Sequence, residues 1–399
     1  MSTKTKMPRA LLALTLSSFA IGVTEFIPLG LLAEMSNYFD TTLSSMGMVV
    51  SMYAIGVAIG APILTNLISS FTRKNQLIFT LILFTLGNLL AAVSTSFNML
   101  ILARVISGLA HGVFFTIGSI IASEVSAPEK RSQAIAIMFA GLTVALVIGV
   151  PLGTFLGKTF SWNFSFYLVT ILGGIATFLS YILTPKTLKK SEKGSLGDQF
   201  SVLKEWKLIK SYLLTIIGYG GSFVLLTYLA EVLKNVSGFG SNIISVLLLI
   251  YGVAVAIGNI YGGKISDKMG AMNSLKLLFF IQVLAFGAFY FTAKSPILAI
   301  INVFILGLLD FAIVPPLQMN VVEVANEVAP KATDSAAGLN IAAFNLGIAG
   351  ASTIGGIVVS TIGVRHTPWI AASILSIAFL MSAYEVSKTR KNSQVCTEV

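Results

Sequence analysis

Two carboxylic acids sit in stretches that otherwise exclude charge. Residues 22–32 read GVTEFIPLGLL, and Glu25 is the only charged residue between Ala10 and Ala33; residues 305–316 read ILGLLDFAIVPP and hold Asp310. A bare carboxylate at bilayer depth costs a few kcal/mol on insertion scales, and acids kept there commonly serve proton or substrate pathways. Burial favours the protonated form and a neighbouring cation the bare form, so such a group is suited to taking up and releasing a proton. The segment RVISGLAHG adds Arg104, and His111, which relays protons near neutral pH. Glu25, Asp310, Arg104 and His111 are the candidate proton-coupling residues. Each also has a plainer role open to it: a permanently neutral acid at Glu25, a packing hydrogen bond at Asp310, a brace or a snorkelling side chain at Arg104, a core histidine at His111.

Other chemistries find little purchase. The single cysteine, Cys396, excludes an intrachain disulfide, and His111 and His366 match no zinc spacing. GTFLGKT at 153–159 is one residue short of a phosphate loop and ends an apolar run, so ATP is not expected as fuel. No zinc-protease helix, nucleophile elbow or dinucleotide fingerprint occurs. The chain reads as no enzyme, with no cofactor and no metal.

The elements that must position these residues follow from length and polarity. About 20 apolar residues cross a hydrocarbon core, and 55% of the 399 residues are hydrophobic while 11% are charged. Breaking the chain at polar, turn-rich stretches gives twelve candidate spans, near 10–33, 47–69, 77–95, 99–123, 133–157, 164–184, 211–232, 243–263, 275–293, 296–320, 335–359 and 367–386. The first is too long for a signal peptide and lacks a cleavage site, so it is expected to be retained. The net charge of +10 invites a nucleic-acid reading. Its distribution argues otherwise: with the N-terminus cytoplasmic, 21 of the 26 Lys and Arg face that side, Lys158, Lys234, Lys294 and Arg365 face out, and Arg104 alone is intramembrane. No nucleic-acid partner is expected.

The expected organisation is an all-α membrane protein with a six-helix half at 1–184, a basic cytoplasmic linker at 185–210, a second half at 211–386 and a cytoplasmic tail at 387–399. An internal match supports the division: YAIGVAIG at 53–60 and YGVAVAIG at 251–258 align without a gap, each in the second span of its half. Two such halves around an axis normal to the membrane enclose a cavity near the midplane, which is transporter architecture.

The stretch GNIYGGKISDKMG resembles the motif after the second span in the major facilitator superfamily, here with Gly258, Gly262, Asp267, Lys268 and Gly270. Small residues allow close helix approach, and an acid beside basic residues at a cytoplasmic helix end makes a charge latch. The first half has Ser69 where the acid would stand, so the latch is asymmetric. GLTVALVIGVPLGTFLG at 141–157 is similar to the glycine-proline motif of drug/proton antiporters, except that Val150 separates Gly149 from Pro151. Gly149, Gly153 and Gly157 fall on one helix face, and Pro151 removes a backbone hydrogen bond, a combination that suits a gate. Together with RVISGLAHG, VPPLQMN at 314–320 and GLNIAAFNLG at 338–347, the chain resembles the arabinose-efflux and chloramphenicol-resistance-like branch of the twelve-span drug/proton antiporters.

That resemblance places spans one and four on the cavity of the first half. Glu25 lies about 22 Å from the inner end of its span and Arg104 about 8 Å from the outer end of its own. Their similar heights make them an expected pair. Phe26, Phe115, Phe139, Tyr219 and Phe344 are candidates for an aromatic substrate surface, and Gln318, Asn340 and Asn345 for hydrogen bonds to it, against packing or interhelical bonding as the alternative. The expected function is a proton-coupled exporter, an antiporter of a small amphipathic molecule such as a drug, sugar or metabolite, working as a monomer in the cell's inner (plasma) membrane with both termini cytoplasmic. Its partners would be substrate, protons and the lipid bilayer. A proton symporter or importer is the alternative within transport, and a non-transporting receptor or scaffold the alternative outside it.

Overall fold

A computed structural model describes residues 9–127, 131–186, 188 and 202–397. Twelve of its helices are long and apolar enough to cross a membrane: α1 (Arg9–Gly30), α2 (Leu43–Leu67), α3 (Arg73–Ala92), α4 (Phe97–Glu124), α5 (Ile137–Thr159), α6 (Trp162–Leu183), α7 (Trp206–Asn235), α8 (Ser241–Met269), α9 (Ala271–Thr292), α10 (Pro296–Val328), α11 (Ser335–Thr361) and α12 (Val364–Lys388). The all-α expectation holds, because only a structure that satisfies its own backbone can cross hydrocarbon, and a helix does so within one segment. The tail from 387 continues as helix to Thr397, and much of the basic linker lies outside the described residues.

The chain forms two compact units, Met1–Met35 with Met52–Leu196, and Ser36–Ser51 with Gly197–Val399. The boundary falls inside the basic stretch 185–210. The division differs from the sequence-based one at residues 36–51, which join the second unit; there the Ser51 hydroxyl donates to the Ala349 carbonyl at 3.1 Å.

Both units pair their helices alike. In the first, α1 packs on α5 and α6, α2 on α4, and α3 on α4 and α6. In the second, α7 packs on α11 and α12, α8 on α10, and α9 on α10 and α12. The short internal match thus marks a repeat of six helices.

Glycines set the tightest crossings. A Cβ at Gly258 or Gly262 of α8 would overlap the backbone of α10 at Leu308 and Ala312. On α5, Gly149, Gly153 and Gly157 receive the side chains of Val23, Ile27 and Leu31, so glycines spaced by four meet α1 residues spaced by four. Pro151 follows a π-helical turn at Ala145–Gly149, and Pro62 sits inside another at Gly60–Leu64. The ring has no N–H and crowds the carbonyl four residues back, which a wider turn relieves. Gly270 has φ +79° and ends α8, a left-handed position that an L side chain strains to adopt.

The polar ends tie neighbours together. Arg73 pairs with Glu124 at 3.4 Å, Lys158 with Glu34 at 3.9 Å, Lys210 with Glu385 at 3.1 Å, and Lys207 with Glu327. Lys74 donates to the Thr184 carbonyl at 2.7 Å, just past the end of α6, where a cation meets the negative end of the helix dipole.

The glycine contacts predict opposite signs for one substitution at two sites. Gly258→Ala forces a methyl against Leu308 and is expected to lower stability by about 1–3 kcal/mol. Gly287→Ala, with open space around it, should gain about 0.5–1 kcal/mol from helix propensity. Thermal unfolding of the two purified variants beside the parent protein measures both.

Candidate functional site

In the first unit, the local sequence creates a need before the fold meets it. Pro28 has no N–H to offer the carbonyl of Thr24 four residues earlier, and α1 tightens there into a 3-10 turn at Ile27–Gly30. Arg104, fully buried on α4, donates from Nη1 to that carbonyl at 2.9 Å and to the Thr24 hydroxyl at 3.2 Å. The Thr24 hydroxyl passes its own hydrogen to Asn88 Oδ1 of α3 at 2.5 Å, and Asn88 Nδ2 donates to the Phe84 carbonyl at 2.8 Å. Such a series of bonds, begun by a charged donor, polarises along its length.

The other face of the guanidinium lies over the Tyr53 ring of α2, 4.0 Å from its centroid. A planar cation against an aromatic face is a favourable way to hold charge away from water. The Tyr53 hydroxyl meets His111 Nδ1 at 2.9 Å, one turn of α4 or more from Arg104. His111 in turn faces Phe115 at 5.0 Å between ring centroids, and Phe115 stacks on Phe139 of α5 at 4.8 Å. Arg104, His111, Phe115 and Phe139 are therefore brought together as one continuous set.

Glu25 is adjacent to this set and differs from it. Its side chain is half-buried and lies within electrostatic reach of Arg104 and Tyr53. The guanidinium also bonds the residue before Glu25 in the chain, Thr24. Phe26, next in the chain, is buried.

The second unit gathers its polar residues around an acid. Asp310 of α10 is 3% exposed and accepts from the Tyr251 hydroxyl of α8 at 2.9 Å and from Gln282 Nε2 of α9 at 3.2 Å. The Ser222 hydroxyl of α7 accepts from the same Gln282 Nε2, at 3.4 Å. Donors from two helices, one of them shared with a third, thus compensate a carboxylate whose water has been removed. Beside it, Tyr219 sits edge-on to Phe344 at 4.9 Å and to Phe311 at 6.0 Å.

A separate amide pair lies on α10 and α11, where Asn340 Nδ2 donates to Gln318 Oε1 at 2.8 Å and Gln318 Nε2 donates to the Ala337 carbonyl at 3.3 Å. Asn345 bonds back to its own helix at the Ile341 carbonyl. Its Oδ1 and that of Asn340 are buried without a hydrogen-bond partner. Asp267 and Lys268 are exposed at the end of α8, and Asp267 enters no ion pair among the described residues.

Sequence reading missed Thr24, Tyr53, Asn88, Ser222, Tyr251 and Gln282. Single hydroxyls and amides within apolar runs look like routine helix-to-helix bonding. A signal existed for the tyrosines, since each heads one of the two matched octapeptides.

Comparison with known proteins agrees with this architecture. The Major Facilitator Superfamily model matches residues 14–333. The chain is 42% identical to the MFS-type transporter YtbD of Bacillus subtilis, covering 98% of this chain and 99% of that one. It is 27% identical to a probable sugar efflux transporter of Helicobacter pylori, covering 94% and 95%. Among solved structures, a D-xylose-proton symporter has the same fold, with a TM-score of 0.76 and 17% identity over 94% of this chain and 96% of that one. These matches bear out the twelve-span transporter fold: the chain belongs to the major facilitator superfamily, a family of multi-pass membrane transporters.

Proposed function

We propose that this transporter is a proton-coupled exporter, an antiporter that moves a small amphipathic molecule outward by alternating access as protons move inward. The observation that carries the reading is Glu25: an acid within a membrane span, half-buried and within electrostatic reach of a guanidinium. A carboxyl in that setting has its charge partly balanced when bare and none to balance when protonated, so both states are accessible. Asp310 is the second candidate, compensated by neutral donors instead of a cation. Both acids lie in the last turn before a proline-linked break in their helix, at Pro28 and at Pro315–Pro316.

Export is supported by the kinship with a sugar efflux transporter. The substrate would meet Phe26, Phe115, Phe139, Tyr219 and Phe344 with Gln318, Asn340 and Asn345; the glycines and Pro151 of α5, and the α8 end at Gly258–Gly270, would move between states. His111 would relay protons on the Tyr53 hydroxyl. The site of action is the plasma membrane, with both termini cytoplasmic, and a monomer suffices. The energetics are adequate: about 100 mV and one pH unit supply roughly 3.7 kcal/mol per proton, enough to hold an uncharged solute at a gradient of roughly 500-fold. Drugs, sugars and metabolites all fall within that range.

In inside-out vesicles with an acid lumen, the parent protein should accumulate substrate. Glu25→Gln should abolish this accumulation while leaving substrate counterflow, which needs no proton gradient. Uphill accumulation by the mutant would remove Glu25 from the coupling role. A second substitution probes the cation. Arg104→Lys keeps the charge but loses the flat contact with Tyr53 and the forked donors, and the transport rate should fall by about tenfold or more, the equivalent of one charge-assisted hydrogen bond.

A further inference from the structure

The two tyrosines that hold the buried ionisable groups occupy one place in the internal repeat. Tyr53 heads YAIGVAIG and Tyr251 heads YGVAVAIG, an offset of 198 residues. The helix crossings carry the same register. A Cβ at Gly108 would strike the Tyr53 carbonyl and one at Gly307 the Tyr251 carbonyl; a Cβ at Gly60 would strike Leu109 and one at Gly258 would strike Leu308. Hence α2 and α8 are offset by 198 and α4 and α10 by 199, and the residue equivalent to His111 is Asp310. These are the two groups that the tyrosine hydroxyls bond, both at 2.9 Å. A third correspondence completes the set. Thr24 and Ser222, again 198 apart, each carry a hydroxyl and each meet an amide from the third helix of their unit, Asn88 or Gln282.

The tyrosine and the hydroxyl thus recur at equivalent places, while the amide comes from a different position of the third helix, Asn88 and Gln282 being 194 apart, and the ionisable groups differ. We propose that Tyr251, Gln282 and Ser222 are positioning residues that make Asp310 a reversible proton site, and that the proton lands on Oδ2, the oxygen facing Tyr251. This deepens the proton-coupled reading above and rests on it for its purpose.

The donor inventory selects the atom. Gln282 holds Oδ1 through its amide nitrogen, which donates and cannot accept. Tyr251 holds Oδ2 through a hydroxyl, which does either. When the carboxylate takes up a proton from water, Oδ2–H becomes the donor and the Tyr251 oxygen the acceptor, with the phenolic hydrogen turning away. Neither heavy atom moves far, and no bond other than O–H forms. Among the described residues no ion pair reaches Asp310; the titratable group bonded to it is Tyr251 on α8, and Tyr219 on α7 lies within electrostatic reach of that tyrosine. A proton is therefore the cation available to neutralise it.

The test needs no substrate. In pH-difference infrared spectra of the reconstituted protein, a protonated-carboxyl carbonyl band should titrate with pH, vanish in Asp310→Asn and return, shifted, in Asp310→Glu. Tyr251→Phe removes a donor to the bare carboxylate, so the band's titration midpoint should move upward by about one pH unit. Ser222→Ala should move it the same way and guards against a misfolded Tyr251→Phe. Tyr53→Phe should leave it in place. The proposal is overturned if Asp310→Asn leaves the difference spectrum unchanged, or if neither Tyr251→Phe nor Ser222→Ala moves the midpoint. If the band behaves as stated while vesicle transport ignores the proton gradient, the site stands and the exporter reading falls alone.

Discussion

The hydrogen bond from Arg104 to the Thr24 carbonyl joins two costs that would each be hard to bear in hydrocarbon. A proline in a membrane helix strands a backbone oxygen, and a guanidinium in a membrane helix strands a charge. Here Pro28 does the first and Arg104 the second, and each relieves the other at 2.9 Å. The remaining needs of the cation radiate outward, to the Thr24 hydroxyl, to the Tyr53 face and through Thr24 to Asn88. Four helices, α1 to α4, are tied to one buried charge. A hydrophobic effect acting between helices cannot do this in lipid, where the surrounding tails are as apolar as leucine.

The glycines make that meeting possible. Tyr53 reaches Arg104 and His111 because α2 and α4 cross with no side chain between them at Gly56 and Gly108, and Gly60 and Gly112 continue the seam. Tyr251 reaches Asp310 across the matching seam at Gly307 and Gly258. Close backbone approach brings short, strong hydrogen bonds within range of side chains that would otherwise face each other across a layer of leucine. The glycine pattern and the polar centres are therefore one design feature expressed at two scales.

This explains what could be read from the chain alone. Span number and class were legible, because bilayer thickness converts apolar length directly into helices. The isolated charges, Glu25, Arg104 and Asp310, were legible because charge in an apolar run is conspicuous. Their partners were not. Matching heights, which helix rise supplies, set Glu25 within electrostatic reach of Arg104, whereas the rotation of each helix decides which further neighbours a side chain meets. That rotation put Arg104 on the carbonyl that Pro28 had freed. Proline four residues after Thr24 was itself readable, and it carries the lesson that an orphaned carbonyl is as strong an attractor for a buried cation as an acid is. Tyr53 and Tyr251 could have been found by asking which polar residues the two repeats share.

The two acids divide along the same physical line. Asp310 is held by two neutral donors from two neighbouring helices, so its bare form is stabilised wherever those helices stay together. Glu25 has no hydrogen bond among the described residues and keeps part of its side chain exposed. A carboxyl without fixed donors responds to whatever approaches it, be it water, proton or solute, while one with fixed donors responds to changes in the helices that supply them. In the proposed exchange cycle, Glu25 would answer to occupancy and Asp310 to conformation. Coupling needs both kinds of response: a carrier that registered only its ligand would leak protons, and one that registered only its shape would move empty.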